Sequence, residues 1–438
     1  MDHERGNARD VRVSTFRQPD GEGGACGPGG WRQCNRLFVP LDPVRAFFLR
    51  CAPAVAHGVD FEGIHRVGHG IELESVTRVV EGETHLADIH LKLEPGSFNV
   101  LLGRTRAGKT SLLRLLAGLD RPTSGRVLAN GTDVTRVDVR RRDVAMVYQQ
   151  FVNYPSLTVY ENIASPLRLA GKLQARELDR RVRETAAALR LEPFLQRLPA
   201  ELSGGQQQRT AMARALAKDA SLLLLDEPLA NLDYKLREEL RTEIRQLFRN
   251  RPSVVVYATT EPTEALLLGG RTAVLDEGRV LQVGRTLEVY QSPATERVGL
   301  VFSDPQMNLW DVEVSAESGA RLSPEVAFPL SAHLRGLAPG RYRLGVRAHH
   351  LRLAPGSPED VRIPAHVEVE ELSGSETLLH AAHGKLSLSA QVEGIHRHPY
   401  GAPVELFVSP ARMFVFGPKG RRVAAPPFTS EEPAHGPN

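Results

Sequence analysis

A parallel α/β core carrying a helical insertion, followed by a smaller all-β domain, is the fold class this sequence predicts. Three observations carry it. Short, almost wholly apolar runs such as "NVLL", "SLLLLD" and "VVVYA" alternate with amphipathic segments between residues 70 and 300, the pattern of strands buried on both faces and separated by helices. One of these runs empties into the glycine-rich turn "GRTRAGKT" and then into "SLLRLL". Beyond residue 300 come short alternating strands, "RYRLGVRA", "AHVEVEEL", "KLSLSAQV" and "PVELFV", spaced by turn signals, which is how a small barrel or sandwich reads.

In chain order, residues 1–68 hold "GEGGACGPGG" and no sustained period of 2 or 3.6; they are expected to be a disordered extension, unless translation starts further in, near Val67. "IELESVTRVV" and "LADIHLKLEPG" alternate like edge strands, "SFNVLLG" is a buried strand, and "SLLRLLAGL" is a short amphipathic helix. Residues 175–198 have helical spacing and belong to an insertion spanning about 152–220. "TAVLDEGRVLQVG" completes the sheet. The α/β domain is thus expected over 69–300, the β domain over 301–418, and a disordered tail over 419–438.

Composition narrows the function. Hydrophobic residues make up 41% of the 438 and charged residues 24%, ordinary for a globular chain. The net charge of +3 gives no case for nucleic acid, and no apolar run approaches the roughly 20 residues that span a bilayer. Cys26, Cys34 and Cys51 are odd in number and irregular in spacing, so neither a disulfide framework nor a zinc site is expected. The chain reads as soluble and cytoplasmic, any membrane role coming through a partner.

The turn Gly103–Thr110 lies between a strand and a helix, the context a phosphate-binding loop requires. Gly103 and Gly108 let backbone N–H groups converge on phosphate oxygens, and the helix N-terminus adds its dipole. Lys109 supplies a point charge to the β- and γ-phosphates and Thr110 a hydroxyl to Mg²⁺. Asp226 ends the buried strand "LLLLD", where a carboxylate can hold Mg²⁺. Glu227 follows as the natural general base for a water attacking the γ-phosphate.

"LSGGQQQR", just before "LLLLDEP", resembles the signature of the ATP-binding-cassette family. "VYQQF" and "LANLD" resemble its Q-loop and D-loop, and the fold class becomes an α/β P-loop NTPase cassette with a helical subdomain. The resemblance implies that Gly103, Arg104, Thr105, Arg106, Ala107, Gly108, Lys109, Thr110 and Ser111 meet ATP in cis, with Thr110, Gln149 and Asp226 about Mg²⁺ and Glu227 catalytic. Ser203, Gly204, Gly205, Gln206 and Asp233 then act on the nucleotide of an opposed subunit. "NYPSLTVYENIASPL" resembles the segment by which importer ATPases meet their membrane subunits. "VFSDP" and "LGVRAHHLRL" resemble the start of the C-terminal OB-type (TOBE/MOP-like) domain of sugar and polyol importers. The implied function is the ATPase of an importer for a small carbohydrate, polyol, glycerol or glycerol phosphate. It would sit at the cytoplasmic face of the inner membrane with two membrane-spanning permease subunits, an external solute-binding protein and a second ATPase subunit, a heterodimer favoured over a homodimer. The alternatives are a regulatory subunit that barely hydrolyses and a soluble cassette ATPase of repair or translation.

The chain departs from the family in two places. Val80 occupies the position of the aromatic residue that stacks on adenine, with His85 a weak substitute. In "VVVYATTEPTEAL", Glu261, Glu264 and Ala265 align with the family's switch segment, and Thr260 takes the place of its histidine. Thr260 also suits a helix N-cap. The basic turn Arg140–Arg142 reads as a solvated face, and the pairs His349 and His350, His380 and His383, and His396 and His398 as scattered surface histidines.

Overall fold

The structure, a computed structural model, describes residues 70–427 apart from 172, 231, 233, 249–251 and 318. The expectations for residues 1–68, for the end of the tail and for Asp233 lie outside the described residues.

Strands β1 (Ile71–Val80) and β2 (Glu83–Leu93) pair antiparallel, and β1 also pairs with β4 (Ser124–Ala129), which carries the short β5 (Thr132–Asp133). Behind this small sheet lies the main one, in the order β10-β9-β3-β8-β7-β6. Its members are β3 (Phe98–Leu102), β6 (Val144–Val147), β7 (Leu222–Asp226), β8 (Val254–Thr259), β9 (Arg271–Asp276) and β10 (Arg279–Arg285). Every pairing is parallel except β9 with β10. The strands alternate between two cores. Leu101, Leu224 and Val256 pack with helix α1 (Lys109–Ala117) and the antiparallel sheet. Val100, Leu223, Leu225, Val255 and Tyr257 pack against the other helices. Burial on both faces is why these runs show no polar alternation.

The helical insertion contains α2 (Val159–Ala170), α3 (Ala175–Ala188) and α4 (Gly204–Ala217). α3 stops ten residues short of the expected 198. Arg190 takes a left-handed φ of 52°, and a short 3₁₀ turn, Glu192–Phe194, replaces the helix; Pro193 there has no N–H to continue the ladder. α2 opens on a capping box between Thr158 and Glu161. Inside its first turn the buried Asn162 accepts from Tyr154 N and donates to the carbonyls of Tyr154, Leu157 and Thr158. One side chain therefore fixes the turn Tyr154–Thr158; Tyr154 in it and Tyr148 and Val152 ahead of it are exposed.

After α5 (Tyr234–Phe248), α6 (Pro262–Leu268), α7 (Thr286–Gln291) and α8 (Glu296–Val301) the β domain begins. One of its sheets runs through β11 (Asn308–Ser315), β12 (Gly319–Arg321), β13 (Ala327–Phe328) and β14 (Gly340–Val346), and the other through β15 (Val361–Leu372), β16 (Glu376–His383) and β17 (Leu386–Glu393). They share one core, in which Trp310, Leu344, Ile363, Leu379 and Leu388 are buried. The domain runs past the expected boundary at 418: Arg422–Ala424 pairs antiparallel with Phe414–Phe416. Among the described residues no helix is long and apolar enough to cross a membrane.

The two domains meet at Arg347. Its guanidinium, reaching from the end of β14, donates to the carbonyls of Phe302 (2.8 Å) and Tyr290 (2.6 Å) and to Ser303 Oγ (2.6 Å). It lies over the Tyr290 ring at 3.7 Å. Burial without a carboxylate partner pushes its pKa down to about 10, so it remains charged at neutral pH. Arg347→Met keeps an apolar stem but orphans two buried carbonyls. It should cost about 2–4 kcal/mol of stability by chemical denaturation. Arg347→Lys should recover only part, since a single ammonium cannot fork to all three acceptors.

Candidate functional site

Register builds the site. In the parallel pairing Leu102 lies beside Thr259, and Asp226 beside Ala258, so β3, β8 and β7 end at one level. The loop after β3 is held there by Gly103 N donating to Thr259 O at 3.3 Å, and Glu227 by its N–H on Ala258 O at 3.0 Å. Gly103 has no room for a side chain, because a Cβ would meet Leu275 O at 2.6 Å. Gly108 sits at φ 101° and caps α1. Two non-glycine residues of the site also take left-handed backbone: Arg106 at φ 66° and Glu227 at φ 45°, each a strain of about 1–3 kcal/mol.

Lys109 is 5% exposed, and its ammonium donates to Gly103 O (2.9 Å) and Arg104 O (3.2 Å) and pairs with Glu227 Oε1 at 3.1 Å. The other oxygen of Glu227 accepts from Gln149 Nε2 at 3.1 Å. Thr110 Oγ1 donates to Asp226 Oδ1 at 3.2 Å. Burial pushes the Asp226 carboxyl above its ordinary range, the Thr110 hydroxyl opposing and the Glu227 charge adding to the rise. A hydroxyl and a carboxylate side by side are hard oxygen donors of the kind Mg²⁺ takes. Ser111 Oγ lies 3.4 Å from His85 Nδ1, while Val80 ends β1.

Gly103–Ser111, Gln149, Asp226, Glu227 and Thr260 thus converge at one edge of the sheet. Ser203–Gln206 do not join them: no hydrogen bond among the described residues links the two groups. Ser203 caps α4, accepting from Gln206 N, and the Gln206 amide oxygen returns to accept from Ser203 N at 3.0 Å. Nothing stands within 4 Å of where a Cβ on Gly204 would lie, so the helix end is open on that side.

Residues 86–230 match the family model described as ABC transporter, and residues 344–416 match that of the TOBE domain. The sn-glycerol-3-phosphate import ATP-binding protein UgpC of Salmonella typhimurium is 37% identical over 347 residues, 78% of this chain and 96% of the relative. The chain belongs to the ABC transporter ATP-binding protein family. The protein of the same name from Brucella abortus is 37% identical over 341 residues, covering 77% of this chain and 93% of that one. A solved structure, the dimeric post-hydrolysis ATP-binding cassette MJ0796 bound to ADP and Pi, aligns at 31% identity with 49% of this chain and 98% of its own, with a TM-score of 0.45.

This ABC transporter cassette uses its two adjacent threonines differently. Thr259 is buried; its hydroxyl donates to Glu264 Oε2 at 2.6 Å and accepts from Glu261 N. Thr260 is half-buried and its hydroxyl makes no hydrogen bond among the described residues. Nor does it cap α6, whose N-cap is Glu261, which corrects the capping alternative. Glu264 also accepts from Tyr257 OH at 3.1 Å, and Glu261 bridges Arg237 and Arg241. This buried network was not visible in the sequence beyond the pair Glu264–Ala265. Burial raises the Glu264 carboxyl above its ordinary 4.5, with hydrogen bonding from Thr259 opposing. The native state therefore binds this proton more tightly than the unfolded chain, and stability attributable to Glu264 rises as pH falls. Compared with Glu264→Gln, the wild type should gain unfolding free energy as pH drops through the raised value toward 4.5 and level off below it. A difference moving the other way in pH-dependent denaturation would contradict the raised carboxyl.

Proposed function

We propose that this chain binds and hydrolyses ATP as the energising subunit of an importer for a small polyol or phosphorylated solute of the glycerol phosphate class. The observation that carries the reading is the joint placement of Lys109 on Glu227 and of Thr110 on Asp226 at the end of one parallel sheet. The solute class rests on the names of the relatives matched over most of their length. The exposed Tyr148, Val152 and Tyr154 support docking to two membrane-spanning permease subunits at the cytoplasmic face of the inner membrane. An external solute-binding protein would deliver the solute.

In this reading the loop amides and Lys109 bind the β- and γ-phosphates. Thr110 and Asp226 would hold Mg²⁺, whose charge offsets that of the phosphates. Glu227 is held by Lys109 and Gln149 before nucleotide arrives. A polyphosphate competes for the Lys109 ammonium and so frees the Glu227 carboxylate to accept a proton from a water that Gln149 orients. Ser203–Gln206 at the open end of α4, with Asp233, would complete the site of a second subunit. Thr260 offers a short, uncharged hydroxyl where an imidazole is expected, so it reaches a leaving phosphoryl group only through water. That favours slow hydrolysis by the chain alone and a heterodimer with a partner ATPase that has the histidine.

Titration with a fluorescent ATP analogue should give saturable binding in the wild type and none in Lys109→Ala, whose fold is unchanged; equal affinities would sink the reading. In steady-state assays Thr260→His should hydrolyse about 10²–10³ times faster than the wild type, the worth of one well-placed transition-state donor. Equal rates would remove the slow-site argument while leaving ATP binding intact.

A further inference from the structure

We propose that the Arg106 guanidinium is itself a phosphate ligand, a second cation that the loop supplies in cis to the polyphosphate its amides hold. The inference rests on the nucleotide reading above and goes beyond it, because that reading uses residues 103–108 through their backbone.

Four observations converge. Arg106 takes a left-handed φ of 66° in the middle of the loop. Glycine would take the same conformation without strain, so the backbone gives no reason for an arginine there; strain of this kind is stored where a side chain has work to do. The residues around it are pinned. Gly103 is pressed against Leu275 O, Ala107 is 3% exposed, and Ala107 N donates to Arg104 O at 3.1 Å. Arg106 is therefore the exposed tip of a rigid turn. Its guanidinium has neither a carboxylate nor a carbonyl partner among the described residues. Arg104 is exposed and unpaired too, but its backbone is unstrained and its carbonyl is occupied by Lys109.

Charge gives the fourth observation. The Lys109 ammonium is already surrounded by two carbonyls and the Glu227 carboxylate. Among the described residues the end of β8 adds the uncharged Thr260 hydroxyl. A polyphosphate entering this site meets the Glu227 carboxylate, and Asp226 where no Mg²⁺ covers it, while the Lys109 ammonium beneath the loop is already partly neutralised. A free guanidinium three residues before Lys109 corrects that balance. Its planar fork suits two phosphate oxygens at once, and its stem lets it swing onto the ligand from the tip of the turn. The ligand class is a nucleoside polyphosphate.

The test uses the full chain and the same fluorescent ATP analogue. Arg106→Gly removes the charge and relieves the left-handed strain, so its thermal midpoint should equal or exceed that of the wild type. Its ATP affinity should fall about 10- to 100-fold at low salt. The gap should close as salt rises from about 50 mM to 500 mM, because the lost interaction is a screened charge. An unchanged affinity would overturn the proposal, and so would a loss of equal size at both salt concentrations, which would belong to the loop backbone. Lys109→Ala run in parallel separates the two readings. If it also binds like the wild type, nucleotide binding at this loop is wrong. If it abolishes binding while Arg106→Gly does not alter it, only the role of Arg106 is wrong.

Discussion

The parallel pairing of β3 with β8, and of β8 with β7, is the constraint on which the remaining geometry depends. It brings Leu102, Thr259 and Asp226 to one level, and the three chains leave the sheet there carrying the phosphate loop, the two threonines and the two carboxylates. A slip of one residue would turn every side chain of a strand to the opposite face. Leu224 and Val256 would then trade places with Leu225 and Tyr257 between two different cores. The same apolar packing that stabilises the sheet therefore sets the distance between Lys109 and Glu227.

Around that edge, charge is arranged so that the apoprotein satisfies itself. Lys109 and Glu227 pair, Gln149 holds the second oxygen, and Thr110 donates to Asp226. Nucleotide binding is therefore an exchange of partners rather than the filling of a bare polar site, since buried groups left unpaired carry a large desolvation cost. The left-handed Glu227 fits this arrangement: its N–H on Ala258 O turns the carboxylate back over the loop instead of along the strand.

Much of this was legible in the sequence, for identifiable reasons. The strands β3, β7 and β8 read clearly because they are buried on both faces, which leaves an uninterrupted apolar run. The phosphate loop read from local chemistry, two glycines in a turn between a buried strand and a helix, and Ser203–Gln206 read from the resemblance of "LSGGQQQR" to a family signature. Three things did not read. The end of α3 depended on Arg190 turning left-handed ahead of Pro193. The division of labour between Thr259 and Thr260 depended on Glu264, five residues on from Thr259, folding back beneath the strand. The extra strand at Arg422–Ala424 pairs through backbone, in a segment whose composition resembles a tail. The first is a local chain reversal, and the last two are tertiary effects, in which a non-periodic or distant contact overrides local pattern.

Arg347 has a mechanical consequence. Its three acceptors lie on the segment from Tyr290 to Ser303. The same segment packs Val298, Val301 and Phe302 into the α/β core and Leu300 against Phe414 and Phe416 of the β domain. Gly420 O and Ala294 O add backbone bonds from Glu296 and Arg422. A swivel of the β domain about this joint would have to strip a guanidinium of every partner at once, in a place water does not reach. The joint behaves as a weld, so that a turn of the outer β sheets would carry the last helices of the ATP-binding domain with it.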